Sequence, residues 1–422
     1  IVIEQVAPTE MPRLPLLTNI LNLNSQETAF TKQLDFKLRH QNLTYLLAEL
    51  LKIWMQERPL VLVIEDVHWL DNESWLLLIS VLRTLVASSQ PFWLLLTMRP
   101  QNQTAIFWHH IEAIKLFSFV EKLFLKSLTT HESIELIENR LRLSKKGLPK
   151  KLEQVIIERA EGNPFFAEEL VFTLHDQKII HLEQGEVYNK CVIVGELDEV
   201  IQALPTTIQG LILARIDQLS SERQFILKIG AVIGRSFSYA SLKHILNKYA
   251  IISDEILKPH LKALESVDLT PMEIPEPNLS YIFKHIITQE VAYQTLLFQQ
   301  RRELHEMVAN WYIEKYGDLK NIENEVNINE ISKTLVPYLP LLAYHYKQAN
   351  NKVKEFFYTK YAGQFAAEQF ANTAAIIHLS RALEIVSTDN DIEKYELLCM
   401  REKVYRLQAK RKEQKEDVIS IQ

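Results

Sequence analysis

Glycine is scarce: there are 9 in 422 residues, about 2% against a usual ~7%. That scarcity excludes turn-rich β-sandwiches, collagen-like repeats and linker-dominated chains, and it leaves a mostly helical protein as the best fit. Cysteine is scarcer still. Cys191 and Cys399 stand far apart with no CxxC or Cys/His spacing, so neither a disulfide framework nor a zinc site is expected. No apolar run approaches the ~20 residues that span a bilayer; the longest are residues 60–64 and 75–82. No signal peptide opens the chain, and a cytoplasmic location without a membrane span is expected. An excess of one charge is also missing. With 47 basic and 53 acidic residues and a net charge of −6, no global field draws the chain to nucleic acid or an anionic membrane.

What is present begins with residues 60–66, Leu-Val-Leu-Val-Ile-Glu-Asp, a β-branched apolar run ending in two carboxylates. Such a run reads as a strand buried on both faces of a parallel sheet, with the acids at its carboxyl end. A helical pattern follows over 73–86 and a second apolar run over 92–97, closed by Met98, Arg99 and Pro100. Strand, helix, strand is the βαβ unit. Upstream, Leu43, Leu46, Leu47, Leu50, Leu51 and Trp54 recur at helical spacing, so a helix precedes the first strand.

Beyond residue 125 amphipathic helices dominate. Those over 132–143, 148–160 and 164–177 read as a small helical subdomain. Helices over 205–219, 221–234, 240–247 and 253–267, followed by a proline-rich turn and an extended piece at 280–283, read as a winged helix. From about residue 298 the chain is helical, with Ala343, Tyr346, Tyr358, Ala362, Ala366, Ala367, Ala374, Ala375 and Ala382 at close-packing positions, as in stacked tetratricopeptide-like hairpins. One or two imperfect units are visible. A solenoid usually needs about three, and the first residue is Ile1, so the chain reads as part of something longer. The expected organisation is therefore mainly α with a partial α/β domain: 1–125 the distal half of a P-loop-type domain, 126–195 a helical lid, 196–297 a winged helix, and 298–422 helical repeats.

Glu65 and Asp66 carry the strongest chemical signal. A phosphate-bound Mg²⁺ needs a rigidly placed carboxylate, and the end of a parallel strand supplies one; a second acid can polarise an attacking water. The alternative is a strand whose exposed end happens to be acidic. The glycine-rich loop that would cradle the phosphates is absent from this sequence, because no glycine precedes Gly147 and the later ones do not build GxxxxGK[ST]. His109 and His110 have no third ligand at metal spacing, and His68 beside Trp69 reads as structural.

The stretch LVIEDVHWLD at 62–71 resembles the second acidic motif, Walker B, of the signal-transduction ATPases (STAND) of the AAA-like superfamily, in the branch attached to class III adenylate and guanylate cyclases. LLLTMRP at 94–100 is similar to that family's sensor strand, and EGNPFFAEEL at 161–170 to its lid segment. FKHIITQEVAY at 283–293 and RRELH at 301–305 are similar to the close of its winged helix and the entry to its repeats. The resemblance implies ATP and Mg²⁺ as cofactors in the intact parent, bound between the α/β domain and the lid. It puts Glu65 near the Mg²⁺, Asp66 near the hydrolytic water, and Arg99 as the sensor of the γ-phosphate, a task suited to its fork of donors. Pro164 would lie against the adenine, Asn163 would shape that turn, and His285 would touch the diphosphate of the closed state. Each has a plainer reading: a loop arginine before a proline, a helix start by an Asn cap and a Pro at the first position, and a packed core histidine.

The function so implied is an ATP-binding regulatory switch within a multidomain signalling protein, the parent being an ATPase linked to a nucleotide cyclase. The fragment itself lacks the phosphate loop and any cyclase domain, and is expected to be catalytically poor. Partners would be ATP or ADP, the cyclase or kinase domain of the parent, and a protein ligand on the helical repeats. Alternatives are a regulatory ATPase of a serine/threonine kinase, a LuxR-like DNA-binding transcription regulator, and a non-catalytic tetratricopeptide scaffold. Few cations on the candidate winged-helix helices (Arg223, Lys228 and Lys243) disfavour the DNA-binding alternative.

Overall fold

A computed structural model of the chain describes residues 7–20, 26–88, 91–99, 105–117, 120–195, 200, 204–249, 252–317, 334–369, 371–386 and 390–421. Pro100, quoted above with the sensor strand, and residues 318–333 near the start of the repeats lie outside the described residues. The chain divides into two compact units, one of residues 1–122 and 356–422 and the other of residues 123–355. Both are mostly helical. Among the described residues no helix is long and apolar enough to cross a membrane.

In the first unit, α1 (Leu14–Ile20) and α2 (Phe36–Glu57) lead into β1 (Leu60–Ile64), α3 (Asn72–Val86), β2 (Phe92–Leu96) and α4 (Ala105–Lys115). The strands pair in parallel, Leu60 opposite Phe92 through Ile64 opposite Leu96. Asp71 caps α3, its carboxylate accepting from the Ser74 N–H at 2.7 Å. One face of the sheet packs on helices: Ile64, Leu94 and Leu96 meet Val67, Trp75, Ile79, Leu82, Phe107 and Ile111, while Leu60 and Phe92 meet Ala48, Met55, Val81 and Leu85.

The other face departs from the two-sided burial that the apolar runs predict. Val61, Val63, Trp93 and Leu95 are 60%, 48%, 78% and 54% exposed. A run apolar at every position cannot say which of its two faces is covered; in this chain all three neighbouring helices supply their apolar residues to the same face.

The unit's remaining helices are all but the first turn of α15 (Lys352–Glu368), then α16 (Asn372–Ile385), α17 (Asp391–Leu407) and α18 (Arg411–Ile421), with α16 on α17 and α17 on α18. Small residues allow the close approach: Ala366, Ala375 and Ala382 are buried with Leu379, Leu397 and Val404. Arg401 ties α17 to α18 through the buried Asp417 (2.5 and 2.9 Å).

In the second unit, α5 (Thr130–Arg140), α6 (Lys150–Ala160) and α7 (Pro164–Asp176) pack on one another. α5 starts with a capping box between Thr129 and Glu132, the expected outcome of Thr followed three residues later by Glu. The segment is not purely helical as expected. An antiparallel hairpin of β3 (Ile180–Glu183) and β4 (Lys190–Ile193) follows α7 and buries Ile180 and Cys191 in the same core; strands of four residues are too short to show an alternation.

Next come α8 (Ile208–Asp217), α9 (Ser221–Ile233), β5 (Ser236–Ser238), α10 (Tyr239–Leu246), α11 (Asp254–Ser266), β6 (Met272–Ile274), β7 (Ser280–Ile282), α12 (Ile286–Gln294), α13 (Phe298–Tyr316) and α14 (Leu339–Gln348). The three strands form one sheet in the order β5-β7-β6. Gly230 faces the Phe237 ring, where an added Cβ would stand 3.0 Å from the ring edge; its lack of a side chain is what lets α9 lie on β5. Ile212, Leu227, Phe237, Leu261, Phe283 and Leu304 share a single core, each such buried side chain contributing roughly 1.5–3 kcal/mol.

A buried ion cluster fastens α8 to α7 and to the end of α11. Arg215, 4% exposed, donates to Glu169 (2.8 Å), Asp176 (3.3 Å) and the Val267 carbonyl (2.7 Å). Its guanidinium lies 5.3 Å from the Phe172 ring centroid.

Candidate functional site

The two acids sit at the carboxyl end of β1, on a backbone pinned to the end of β2. Thr97 N–H donates to the Ile64 carbonyl (3.1 Å) and Val67 N–H to the Thr97 carbonyl (3.0 Å). The Asp66 N–H donates to Thr97 Oγ1 at 3.0 Å. Asp66 is left-handed, with φ 53°, a conformation that Asp adopts more readily than most residues. The turn therefore fixes where both carboxylates start, Glu65 exposed and Asp66 half-buried.

Arg99 follows β2 on the same side. Its N–H donates to His68 Nδ1 at 3.4 Å, and that nitrogen lies 3.9 Å from Asp66 Oδ1. Glu65, Asp66, His68 and Arg99 are thus gathered at one sheet end, with the His68 ring accepting from the Arg99 backbone and lying near the Asp66 carboxylate without a hydrogen bond to it. Among the described residues no three His, Cys, Asp or Glu side chains cluster as a metal cage. That donor set fits Mg²⁺, which takes one or two carboxylates and completes its shell with water and phosphate oxygens. It does not fit an all-protein site.

In the second unit the turn into α7 is built from Glu161, Gly162, Asn163 and Pro164. Glu161 and Gly162 have φ of 46° and 75°, and the Gly162 carbonyl accepts from the Leu128 N–H at 2.8 Å. A Cβ at Gly162 would stand 2.3 Å from the Leu128 carbonyl oxygen, so no other residue fits. The Asn163 side chain caps α7, accepting from the Phe166 N–H at 3.1 Å, and Pro164 occupies the first helical position, as its missing N–H and fixed φ favour. Asn163 and Pro164 are both exposed.

Next in sequence, Phe165 turns its ring onto His285, centroid to centroid 4.0 Å. His285 is the residue before α12 and makes no side-chain cap bond to it. Burial, then the adjacent Lys284, holds its pKa below the ordinary histidine value, with Arg235 and Arg140 acting the same way and Asp268 opposing. The ring is therefore neutral near pH 7. The fold thus brings Pro164, Phe165 and His285 together, and separately Glu65, Asp66 and Arg99.

Three charged residues beside His285 are missed by sequence reasoning. Asp268 Oδ2 accepts from both Arg140 and Lys284. Arg140 and Asp268 are 128 positions apart, and neither stands in a motif; only Lys284 lies inside a quoted block.

Known proteins similar to this chain add the following. Residues 129–188 match the model of a domain of unknown function, DUF8739, a span that contains the Asn163 turn. The rabbit (Oryctolagus cuniculus) protein "Adenylate cyclase type 10" is 20% identical over 271 residues, which are 55% of this chain and 16% of that protein. Its mouse (Mus musculus) counterpart is 19% identical over 243 residues, 50% of this chain and 14% of that protein. The chain thus aligns with about one sixth or less of the length of these relatives. A crystal structure of a signal transduction ATPase with numerous domains (STAND) carrying a tetratricopeptide repeat sensor, from Pyrococcus horikoshii, is similar with a TM-score of 0.44 at 11% identity, over 92% of this chain and 52% of that one.

Proposed function

We propose that this chain is the nucleotide-responsive part of a multidomain signalling protein, and that its ligands are ATP and ADP with Mg²⁺. The observation that carries the reading is the contact of the Asn163-Pro164-Phe165 turn with His285: an exposed proline and a neutral imidazole joined through one aromatic ring, which suits a purine on one side and phosphate on the other. On this reading α9 to α11 with the β5-β7-β6 sheet is a winged helix that follows nucleotide state, and α13 to α18 are tetratricopeptide-like hairpins that pass it on. The two β strands are the distal half of a larger α/β domain, in which helices on the second face of the sheet would cover Val61, Val63, Trp93 and Leu95.

Roles follow from each side chain's chemistry. Bound Mg²⁺ supplies charge neutralisation at the phosphates. Glu65 and Asp66 would hold that ion, and Asp66 would accept a proton from water. Arg99 presents a guanidinium to the γ-phosphate. Pro164 takes the adenine, and His285 donates a hydrogen bond to phosphate from a neutral ring. The similarity to adenylate cyclase type 10 supports a cyclase as the output domain of the parent, and a kinase is the alternative.

Photoaffinity labelling with 8-azido-ATP and Mg²⁺ tests the reading. Label is expected on peptides holding Pro164 to Phe166 or His285, competed by ADP and reduced by Pro164→Gly. Label that ADP does not compete, or that falls only on other peptides, would overturn it.

A further inference from the structure

Asp268 stands directly after the end of α11 with its backbone left-handed, φ 61°. Two cations from distant elements converge on one of its oxygens. Arg140 is the last residue of α5, and Lys284 lies between β7 and α12. Arg140 is further positioned by Glu168 of α7, 3.5 Å away, and by the Phe172 ring, 5.3 Å from its guanidinium carbon. The arrangement is open rather than interior: the side chains of Arg140, Asp268 and Lys284 are 36%, 32% and 28% exposed.

The neighbour of this cluster is His285, seated on Phe165. Arg140, Arg235 and Lys284 all bear on that imidazole, and Asp268 is the one acid that bears on it. A solvent-accessible spot with three cations and a neutral ring, where one carboxylate, Asp268, is shared by two of the cations and a second, Glu168, lies beside Arg140, still holds more positive than negative charge. A polyanion arriving there finds donors already oriented, and its competitor is Asp268.

We propose that Asp268 is a built-in stand-in for phosphate: it occupies Arg140 and Lys284 until a di- or triphosphate group beside His285 takes those two cations over. The inference rests on the nucleotide reading above and adds to it the residues that receive the phosphates and the internal group that competes for them. Arg140 belongs to the helical bundle, and Lys284 to the segment that leads into α12. A phosphate replacing Asp268 would therefore exchange an internal tie between these elements for one made through the ligand.

The test is calorimetric titration of the intact chain with inorganic pyrophosphate at low ionic strength, comparing wild type, Asp268→Asn and Lys284→Gln. Asparagine suits the left-handed backbone, so the first variant removes the charge and keeps the turn. Asp268→Asn is expected to bind pyrophosphate about tenfold more tightly than wild type, the size of two partly exposed ion pairs lost from the competing state. Lys284→Gln is expected to bind more weakly. Should Asp268→Asn bind no more tightly, or Lys284→Gln bind equally well, the stand-in role is overturned while the nucleotide reading stands if 8-azido-ATP still labels the Pro164 turn. Absence of pyrophosphate binding in all three proteins together with absence of that label overturns both.

Discussion

Lowering the pH should loosen the α12–α13–α14 region before the rest of the chain, because two buried histidines there cannot take up protons. His305 and His345 are each 1% exposed, their Nδ1 atoms 2.8 Å apart. His305 Nε2 lies 3.0 Å from the Tyr293 hydroxyl, and His345 Nε2 is buried without a hydrogen-bond partner among the described residues. Facing Nδ1 atoms can share only one proton. Burial, then Arg301, pushes His305 down to about 4; burial, then His305, pushes His345 down to about 3. Tyr344 packs edge-on to His305 and adds no positive charge.

The unfolded chain protonates these rings at about pH 6.5, while the folded one does not until far below. Their contribution to stability is therefore complete above pH 6.5 and is lost as pH falls from there toward about 4 and 3. At about pH 5 each ring costs roughly 2 kcal/mol, about 4 kcal/mol for the pair. Hydrogen exchange of the α13 and α14 amides reads this locally. Protection should fall by that free energy between about pH 7.5 and 5 in wild type, and by much less in a His305→Gln, His345→Gln double variant. His110, His285 and His378, whose pKa values are also lowered, are common to both proteins and cancel. Asp254, Glu132 and Glu222, with lowered pKa values, keep their charge at that pH. An equal loss of protection in the two proteins would refute the reasoning.

Gly162→Ala should destabilise the α6–α7 turn by about 2 kcal/mol or more, since the Cβ meets a backbone oxygen and φ is positive; chemical denaturation followed by circular dichroism checks it, and an unchanged midpoint would contradict the close approach. Asn163→Ala removes the α7 cap and should cost about 1 kcal/mol in the same assay. Arg215→Met leaves Glu169 buried without its partner and should cost roughly 3–5 kcal/mol, with much of that regained when Glu169→Gln is added; a double variant no better than the single one would show that the pair is not what α8 and α7 share.

Local signals proved legible and distant ones did not. An apolar β-branched run cut off by Glu65-Asp66 specifies a strand and where it ends, because strand burial and a charged terminus are written in adjacent residues. Asn163-Pro164 specifies a helix start by the same locality, and the Asn cap forms as read. The hairpin over β3 and β4 and the three-residue β5 carry too few residues for a period to emerge, and α4 is a short helix whose aromatics and histidines blur its apolar spacing. The bare face of β1 and β2 is illegible for another reason: Val61 and Leu62 are equally apolar, and only packing decides which is covered. Asp268 with Arg140 and Lys284 depends wholly on tertiary placement, since no spacing rule connects residues 128 apart.

The central claim, that adenine nucleotide is held at the Pro164 turn and His285, is tested most directly by titrating ADP into the intact chain by calorimetry. Because no glycine-rich phosphate loop exists among these 422 residues, the account predicts a dissociation constant near or weaker than about 1 mM, weakened further by Pro164→Gly and by His285→Ala. No detectable binding at about 10 mM ADP, or tight micromolar binding that neither substitution changes, would contradict it.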